Sequence, residues 1–460
     1  MGVAIRSIEK PASHGWINNE INKEYFMLKI SYLLAISFST FTLFTTPEGD
    51  KNSSQWHQWR GPAATGVATT GSPPVEWSET KNVKWKTAIP GLGLSTPIIW
   101  EDTIFLTTAI GASAKGKGRF KTLKAGTPQN FVVIAVNKNS GKILWQKTAV
   151  EQKPHEGAHG DASWASNSAI TDGKLVFAHF GSNGLFCYDF AGNLKWKKDL
   201  GNMRTRNGFG EGSSPALHGN TLVLNWDHEG ESFITALDKT SGKQLWKVKR
   251  DEATSWSTPL IVEQNGAAQV IINATGMTRG YDLKTGTQIW QAKGMTVNTI
   301  PSPVYGDGVV YVMSGYRGND MQAIDLAKAK GDISDSDAVI WKYSRDTPYV
   351  PSPLLYGNEL YMLKSNRAIL ACLDAKTGKL NYGTQRLPGI RNVYASLVGA
   401  GNHVYILGRK GGAVVLKRGA QFEVVAENKL DDGFDASPAV VGNELFLRGR
   451  KNIYCISKTE

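Results

Sequence analysis

Short runs in which apolar and polar residues alternate recur along most of the chain, and each run ends at a turn-forming dipeptide. Alternation with period two, joined by two-residue turns, is typical of antiparallel β-hairpins. Helix-period patterns are absent from these runs. The pattern therefore predicts an all-β protein, with hairpin turns at Asp172-Gly173, Gly219-Asn220, Gly306-Asp307 and Gly357-Asn358.

A longer phrase repeats over these hairpins. It consists of Ser/Thr-Pro, an apolar pair, a turn and a strand, then a strand ending in Ala-x-Asp, then Thr-Gly-Lys and a Trp. The clearest copies run from Ser214 to Trp246 and from Thr258 to Trp290. Most spacings between copies are 41 to 50 residues, which is the period of four-stranded propeller blades. The positions equivalent to the Pro are Pro97, Ser168, Pro215, Pro259, Pro303, Pro353, Leu397 and Pro438.

The eighth unit is incomplete. It begins at Ser437-Pro438 and stops at Ile456 without a terminal Trp strand, whereas a Trp strand stands alone at residues 82–86. Because a closed ring leaves no sheet edge unpaired at the junction, we expect residues 82–86 to complete the last blade. The prediction is one eight-bladed propeller of four-stranded antiparallel blades over 82–460, preceded by an extended arm at 46–81.

The phrase Ala-x-Asp-x-x-Thr-Gly-Lys-x-x-Trp resembles the tryptophan-docking repeat of the pyrroloquinoline-quinone (PQQ)-like, BamB-like propeller family. The resemblance covers nearly all of residues 82–456, and it implies that the Gly and Trp of the phrase pack between neighbouring blades. Tyr382 and Val424 replace the Trp in units six and seven. The residues to which the resemblance gives this structural role are Trp85, Trp145, Trp196, Trp246, Trp290 and Trp341.

Two further features concern the blades. Cys187, Cys372 and Cys455 share one position of the third strand in non-adjacent blades, so we expect small buried thiols rather than disulfides. An insertion at 327–338, rich in Lys and Asp, is expected to be a solvated loop.

A propeller sorts its connections by face. Hairpin turns and Thr-Gly-Lys turns share one face, here called the short-turn face. Loops between blades and between second and third strands share the other, the long-loop face, where a rigid scaffold most often carries binding residues. The candidate ligand-binding residues are His155, His159, Asp161, Trp164, Arg204, Arg206, Asp227, His228, Glu229, Arg250, Asp251, Trp256, Tyr316, Arg317, Tyr349, Arg391 and Arg409.

Three interpretations of this face are open. Its His and acidic residues suit a metal, but their spacing matches no zinc signature, and we expect solvated loops without a metal. The quinoprotein dehydrogenases of the superfamily carry adjacent cysteines, which this chain lacks, so neither PQQ nor Ca²⁺ is expected as a cofactor although both stay possible. The Arg and aromatic residues suit an anionic or carbohydrate ligand.

The leading hypothesis from the sequence is a binding or scaffolding module for envelope proteins or another ligand. The alternative is a carbohydrate-active or quinone-dependent enzyme with its site in the central funnel. With 52 Lys and Arg against 40 Asp and Glu, the formal charge of +12 favours anionic partners, but no nucleic-acid motif accompanies it.

The N-terminal 45 residues predict export. Residues 30–44 are uncharged and follow Lys29, as in a signal peptide, and are too short and polar for a membrane span. The first Cys is Cys187, so no lipid attachment is expected. We therefore expect a monomeric periplasmic or extracellular protein that associates with membranes peripherally at most.

Overall fold

The computed structural model describes residues 53–112 and 122–459, and these form eight antiparallel sheets of four strands each, with a fifth, parallel strand added to one of them. The predicted extension and signal segment at 1–45 lie outside the described residues. Blade one contains β2 (Ile98–Trp100), β3 (Thr103–Ile110), β4 (Gln129–Asn137) and β5 (Ile143–Gln152), and blade two contains β6 (Ile170–Thr171), β7 (Leu175–His179), β8 (Leu185–Asp189) and β9 (Leu194–Lys198). Blade three contains β10 (Ala216–His218), β11 (Thr221–Trp226), β12 (Phe233–Asp238) and β13 (Gln244–Lys249), and blade four contains β14 (Leu260–Gln264), β15 (Ala267–Asn273), β16 (Met277–Asp282) and β17 (Gln288–Lys293).

Blade five contains β18 (Val304–Gly306), β19 (Val309–Ser314), β20 (Asp320–Asp325) and β22 (Val339–Lys342), and blade six contains β23 (Leu354–Tyr356), β24 (Glu359–Leu363), β25 (Ile369–Asp374) and β26 (Leu380–Arg386). Blade seven contains β27 (Val398–Ala400), β28 (His403–Leu407), β29 (Gly412–Lys417) and β30 (Val424–Lys429), and blade eight contains β31 (Ala439–Val441), β32 (Glu444–Arg448), β33 (Asn452–Ile456) and β1 (Val83–Ala88). Apart from the single helical residue Ser53 at the start of the described range, helical structure in the described residues is limited to two 3-10 turns, Gly181–Asn183 and Arg206–Gly208. The all-β eight-bladed prediction is confirmed.

Ring closure also follows the prediction. β1 pairs antiparallel with β33, with Trp85 opposite Cys455, and the sheet order is β1-β33-β32-β31. The N-terminal strand thus supplies the outermost strand of the last blade. The three cysteines are buried and free.

Most of the repeated tryptophans join one blade to the next. The Trp85 indole donates to the Lys138 carbonyl of blade one at 2.8 Å and covers Gly141. A Cβ at Gly141 would lie 2.6 Å from the indole, which explains why the turn carries glycine. Trp145, Trp196, Trp246 and Trp341 repeat this geometry at Gly192, Gly242, Gly286 and Gly378.

Trp290 departs from the pattern, and the insertion after it explains why. Its indole donates to Gln269 of its own blade at 2.8 Å and fills the space above Gly280. The expectation of a solvated loop at 327–338 is wrong, because β21 (Gly331–Asp332) pairs parallel with β17 and extends blade four to five strands. Ile333 from the insertion is buried beside Trp290 and supplies the apolar contact that anchors it.

A ring of hydroxyl side chains surrounds the propeller axis. At seven of the eight positions the backbone N–H donates to the side-chain oxygen of the next blade's member at 2.9 to 3.0 Å. The bond is missing between Ser437 and Thr96, and the Thr96 hydroxyl is buried without a partner among the described residues. Ser168 is one of these members, so its expected equivalence with the Pro position is off by one residue, and Ala169 takes that place. The members are Thr96, Ser168, Ser214, Thr258, Ser302, Ser352, Ser396 and Ser437.

The segment before β1 packs along the inner strands. Its Trp56 is fully buried, and its carbonyl accepts from Ile99 at 2.8 Å. Arg60 is buried as well, where it bonds to the carbonyls of Thr65 and Pro353. Burial without a carboxylate partner lowers the pKa of Arg60 to about 9. These contacts bring the indole of the neighbouring Trp59 to the ring axis.

Candidate functional site

A cavity of about 250 Å³ lies at the centre of the long-loop face. Six members of the hydroxyl ring line it together with Trp59. Trp59 also borders a cavity of about 10 Å³ lined by Pro215, Pro259 and Pro303, which follow the ring toward the short-turn face. Because Trp59 stands between the two cavities, its indole and the hydroxyl ring form the floor of a closed funnel.

The walls of the funnel come from loops between blades. Their aromatic members are Phe209 of the loop before β10, Trp256 of the loop before β14, Tyr349 of the loop before β23 and Tyr394 of the loop before β27. The acidic side chains and the imidazole that join them are Asp161, Glu211, Asp435 and His159.

The loop at residues 153–169 reaches across the ring. It connects blades one and two, yet Asp161 accepts hydrogen bonds from Arg409 of blade seven at 2.9 Å and from the Tyr394 hydroxyl at 3.2 Å. Arg409 lies over the Tyr394 ring, 3.9 Å from its centroid, and also bonds to Asp435 at 2.5 Å. The loop is therefore held over the funnel by an ion-pair cluster.

The charge states of this cluster follow from its contacts. Burial opposes ionisation of Asp161, but the bonds from Arg409 outweigh it and lower the pKa of Asp161. Burial likewise opposes the charge of Arg409, and its pairing with Asp161 and Asp435 raises its pKa. Desolvation lowers the pKa of His159, which favours the neutral ring at pH 7. The cluster is a set of closed ion pairs around a neutral imidazole.

Glu211 differs from Asp161 and Asp435 in having no arginine partner. It accepts hydrogen bonds from the Ser182 amide at 2.6 Å and the Ser182 hydroxyl at 2.5 Å, in space that the absent side chain of Gly181 leaves open. Burial raises the pKa of Glu211 to about 7, and the nearby charge of Glu156 adds to the rise. Within the described ranges, neither Glu156 nor Glu211 has a Lys or Arg at ion-pair distance. Glu211 and Glu156 are therefore carboxylates without a Lys or Arg counter-ion, and their bonding partners Ser182 and Thr205 do not line the funnel.

One group of described residues has enough donor atoms to hold a cation, and Glu156 and Glu211 both belong to it. Donor atoms of His155, Glu156 and Glu211 lie within 4.8 Å of one another. The His155 ring already contacts the Met203 carbonyl at 2.5 Å, and Glu156 accepts from the Thr205 amide.

Comparison with known proteins decides the family. A family model described as "Outer membrane protein assembly factor BamB" matches residues 63–230, 129–379 and 230–460, which together span most of the chain. The chain belongs to this PQQ-like, BamB-like propeller family.

Relatives and solved structures agree on the fold. The outer membrane protein assembly factor BamB of Yersinia pestis is 23% identical over 346 residues, covering 71% of this chain and 80% of the relative. The crystal structure of BamB from Moraxella catarrhalis aligns with a TM-score of 0.56 at 12% identity, over 82% of this chain and all of the other. A europium-containing methanol dehydrogenase aligns with a TM-score of 0.62 at 10% identity, over 88% and 91% of the two chains.

The funnel of this BamB-like propeller does not suit the quinone after which the repeats are named. PQQ carries three carboxylates, so its site needs cationic side chains or a bound metal. The residues that line the funnel include three carboxylates and no Lys or Arg. Arg409, which touches the lining, is already bonded to Asp161 and Asp435. Without a bound cation, the residues present therefore do not fit this anionic group.

Only some of the residues predicted from the sequence reach the funnel of the BamB-like propeller. His159, Asp161, Trp256 and Tyr349 line it, and Arg409 holds Asp161 in place. Another set lies on the outer part of the long-loop face, where the side chains are exposed. That set is His155, Arg204, Asp251, Arg317 and Arg391.

The remaining candidates hold the loops together. Asp227 and Arg250 form a fully buried bidentate ion pair, with N–O distances of 2.7 and 3.1 Å, so they face each other rather than a ligand. His228 accepts from the Arg204 amide, and Glu229 accepts from Thr254. The proposed metal ligands Asp227, His228 and Glu229 are therefore engaged elsewhere.

Three aromatic or basic candidates complete the set. The Trp164 indole donates to the Glu156 carbonyl at 3.2 Å, and the amide of Arg206 donates to the Thr254 hydroxyl at 2.9 Å. Tyr316 stacks on Tyr349 with ring centroids 4.6 Å apart.

Glu211 and Phe209 were missed by sequence reasoning. They belong to the segment Gly208–Gly212, whose glycine-rich character reads as an ordinary loop. The signal that was present is the position of this segment directly before Ser213-Ser214-Pro215, where each blade turns toward the axis. Trp59 was missed as well, because the sequence indicated only an extended arm at 46–81.

Proposed function

We propose that this protein is an exported binding module that docks a partner protein of the cell envelope on its long-loop face. The observation that carries the proposal is that this face is held rigid and still presents exposed arginines. Arg409 fixes the loop at 153–169 across the ring. The side chains of Arg204, Arg317 and Arg391 remain exposed. A rigid face loses little conformational entropy on binding, and arginines are enriched at binding hot spots.

The kind of partner follows from the relatives. Relatives named as outer membrane protein assembly factors support a partner in outer-membrane protein assembly. The exposed arginines favour a partner with an acidic contact surface. Among the described residues no helix is long and apolar enough to cross a membrane.

The enzyme alternative receives less support. A quinone-dependent reaction needs a funnel that accepts the anionic cofactor, and this lining supplies carboxylates instead. Hydrolysis of a glycosidic bond commonly uses a pair of carboxyl groups. Asp161 and Asp435 are closed into ion pairs with Arg409, which leaves Glu211 as the one carboxyl of the lining without such a pair.

The test compares two triple variants with the same change in charge. Arg204, Arg317 and Arg391 are changed to Ala on the long-loop face. The matched control changes the exposed Lys243, Lys284 and Lys376 of the short-turn face to Ala. Each protein is cross-linked in envelopes of its own host and purified, and outer-membrane assembly proteins are quantified by mass spectrometry.

We expect wild type and the lysine control to capture such a protein, and the arginine variant to capture at least about ten-fold less, since each lost hot-spot arginine costs more than about 1 kcal/mol. Equal capture by all three proteins, or capture of assembly proteins by none, contradicts the proposal.

A further inference from the structure

A second, much smaller cavity lies between the loop at 153–169 and the loop at 199–215. Its volume is about 10 Å³, which is the space of one water-sized sphere. His155, Glu156 and Glu211 all border it. Their metal-binding atoms lie within 4.8 Å of one another. One imidazole and two carboxylates therefore meet at a cavity that has room for a single small ion.

The two carboxylates are held in place by groups outside this cluster. Glu156 accepts hydrogen bonds from the amide of Thr205 at 3.1 Å and from the Thr205 hydroxyl. Glu211 accepts from the amide and the hydroxyl of Ser182 at 2.6 and 2.5 Å, with one bond at each of its oxygens. A carboxylate oxygen that accepts one hydrogen bond keeps a second lone pair. Both side chains are thus oriented and still able to bind a metal.

The His155 ring is oriented by a similar contact. Its Nε2 lies 2.5 Å from the Met203 carbonyl, which can only accept, so Nε2 carries the proton and Nδ1 keeps its lone pair. A metal-binding histidine usually donates its other ring N–H to a carbonyl or carboxylate in this way. Two atoms bound to one zinc ion lie no more than about 4.2 Å apart, so closing the cluster on an ion takes a movement of about 1 Å. The exposed His155 side chain is free to make that movement.

The charges of the cluster favour a cation. Over residues 53–112 and 122–459, no Lys or Arg lies at ion-pair distance from Glu156 or Glu211. Two neighbouring carboxylates repel each other when both are ionised, and a divalent ion bound to both removes the repulsion. Without a bound ion the two carboxylates stay uncompensated. Gly181 permits this approach, since a Cβ there would overlap the Glu211 carboxylate.

We propose that His155, Glu156 and Glu211 bind one divalent transition-metal ion, with Zn²⁺ preferred, at this small cavity. Imidazole nitrogen suits Zn²⁺, whereas Mg²⁺ and Ca²⁺ take oxygen ligands. Three protein ligands leave the fourth position of a tetrahedral ion to water. The ion joins the loop at 153–169 to the loop at 199–215. The site uses none of the exposed arginines of the proposed partner surface, so its test is independent of partner docking.

The experiment measures metal binding directly. The full-length protein, without an affinity tag and stripped of metal with EDTA, competes for Zn²⁺ with a chromophoric chelator. We expect one Zn²⁺ to bind per chain with a Kd below about 10 µM, and Ca²⁺ and Mg²⁺ to bind at least about 100-fold more weakly. Zn²⁺ should also raise the thermal unfolding midpoint of the protein, because it binds the folded state.

His155→Gln is the first variant, because this side chain is exposed and its loss does not disturb the core. Loss of an outer-shell partner alone weakens metal binding by about 10- to 100-fold, so loss of a ligand should weaken it by at least about 100-fold. The control is the double variant His218→Gln with Glu263→Gln. It removes an exposed His–Glu pair, 3.6 Å between nitrogen and oxygen, and should leave Zn²⁺ binding unchanged.

Glu211→Gln tests the ligand that comes from the other loop and should lose Zn²⁺ binding to the same extent as His155→Gln. Circular dichroism checks that it is folded, and Glu156→Gln takes its place if it is not. No binding at about 100 µM Zn²⁺, a concentration well above the expected Kd, overturns the proposal. Equal affinities for Zn²⁺ and Ca²⁺, an unchanged affinity in His155→Gln, or an equal loss in the control double variant overturns it as well.

Discussion

Glu211 should make the protein less stable as the pH rises through neutrality. Its pKa is about 7 in the folded protein, because burial disfavours the charged form, against an ordinary value of 4.5. Between these two values the unfolded chain is ionised at this position and the folded protein is not. The folded state therefore binds an extra proton, and the free energy of unfolding falls with rising pH over that interval.

The size of the effect follows from the interval. The fall is about 1.4 kcal/mol for each pH unit between 4.5 and 7, which gives about 3.5 kcal/mol in total, about 3 kcal/mol of it above pH 5, and little further loss above pH 7. Gln at position 211 cannot ionise and removes this contribution. The stability of Glu211→Gln relative to wild type should therefore be about 3 kcal/mol more favourable at pH 8 than at pH 5.

Urea unfolding at pH 5, 6, 7 and 8, followed by tryptophan fluorescence, measures this difference. Burial raises the pKa of Glu252 to about 7 as well, but Glu252 is present in both proteins and cancels in the comparison. Glu151→Gln, at an exposed position of β5, is the control and should parallel wild type at every pH. Parallel profiles for wild type and Glu211→Gln would refute the assignment of a buried, uncompensated carboxylate.

Two further predictions concern the scaffold. Asp227→Ala leaves Arg250 buried without its partner and should lower the free energy of unfolding by about 3 to 5 kcal/mol, measured in urea; a loss below about 1 kcal/mol would contradict a desolvated pair. Gly242→Ala places a Cβ 2.7 Å from the Trp196 indole at φ +68°, so it should cost at least about 1 kcal/mol more than Gly219→Ala, where φ is +54° and the Cβ meets no atom within 4 Å; equal thermal shifts in calorimetry would contradict docking.

The fold was predictable because it depends on short sequence motifs that repeat from blade to blade. Most blades repeat Ser/Thr-Pro at the axis and a turn related to Thr-Gly-Lys followed by Trp at the outer strand, and the unpaired Trp strand at 82–86 had one place to go. The sequence also marked the exception. The third strand of blade four carries Gly280 where most other blades carry Ala or Cys, and this glycine makes room for Trp290 to fold back on its own sheet.

The site was less predictable because its contacts join residues that no period relates. Asp161 meets Arg409 across 248 positions of the chain, and two of the predicted charged residues, Asp227 and Arg250, are used up in bonding each other. Sequence reasoning identified the long-loop face as rich in charge, yet it could not tell a paired charge from a free one. Glu211 was missed for the opposite reason, because what distinguishes it is the lack of a Lys or Arg at ion-pair distance.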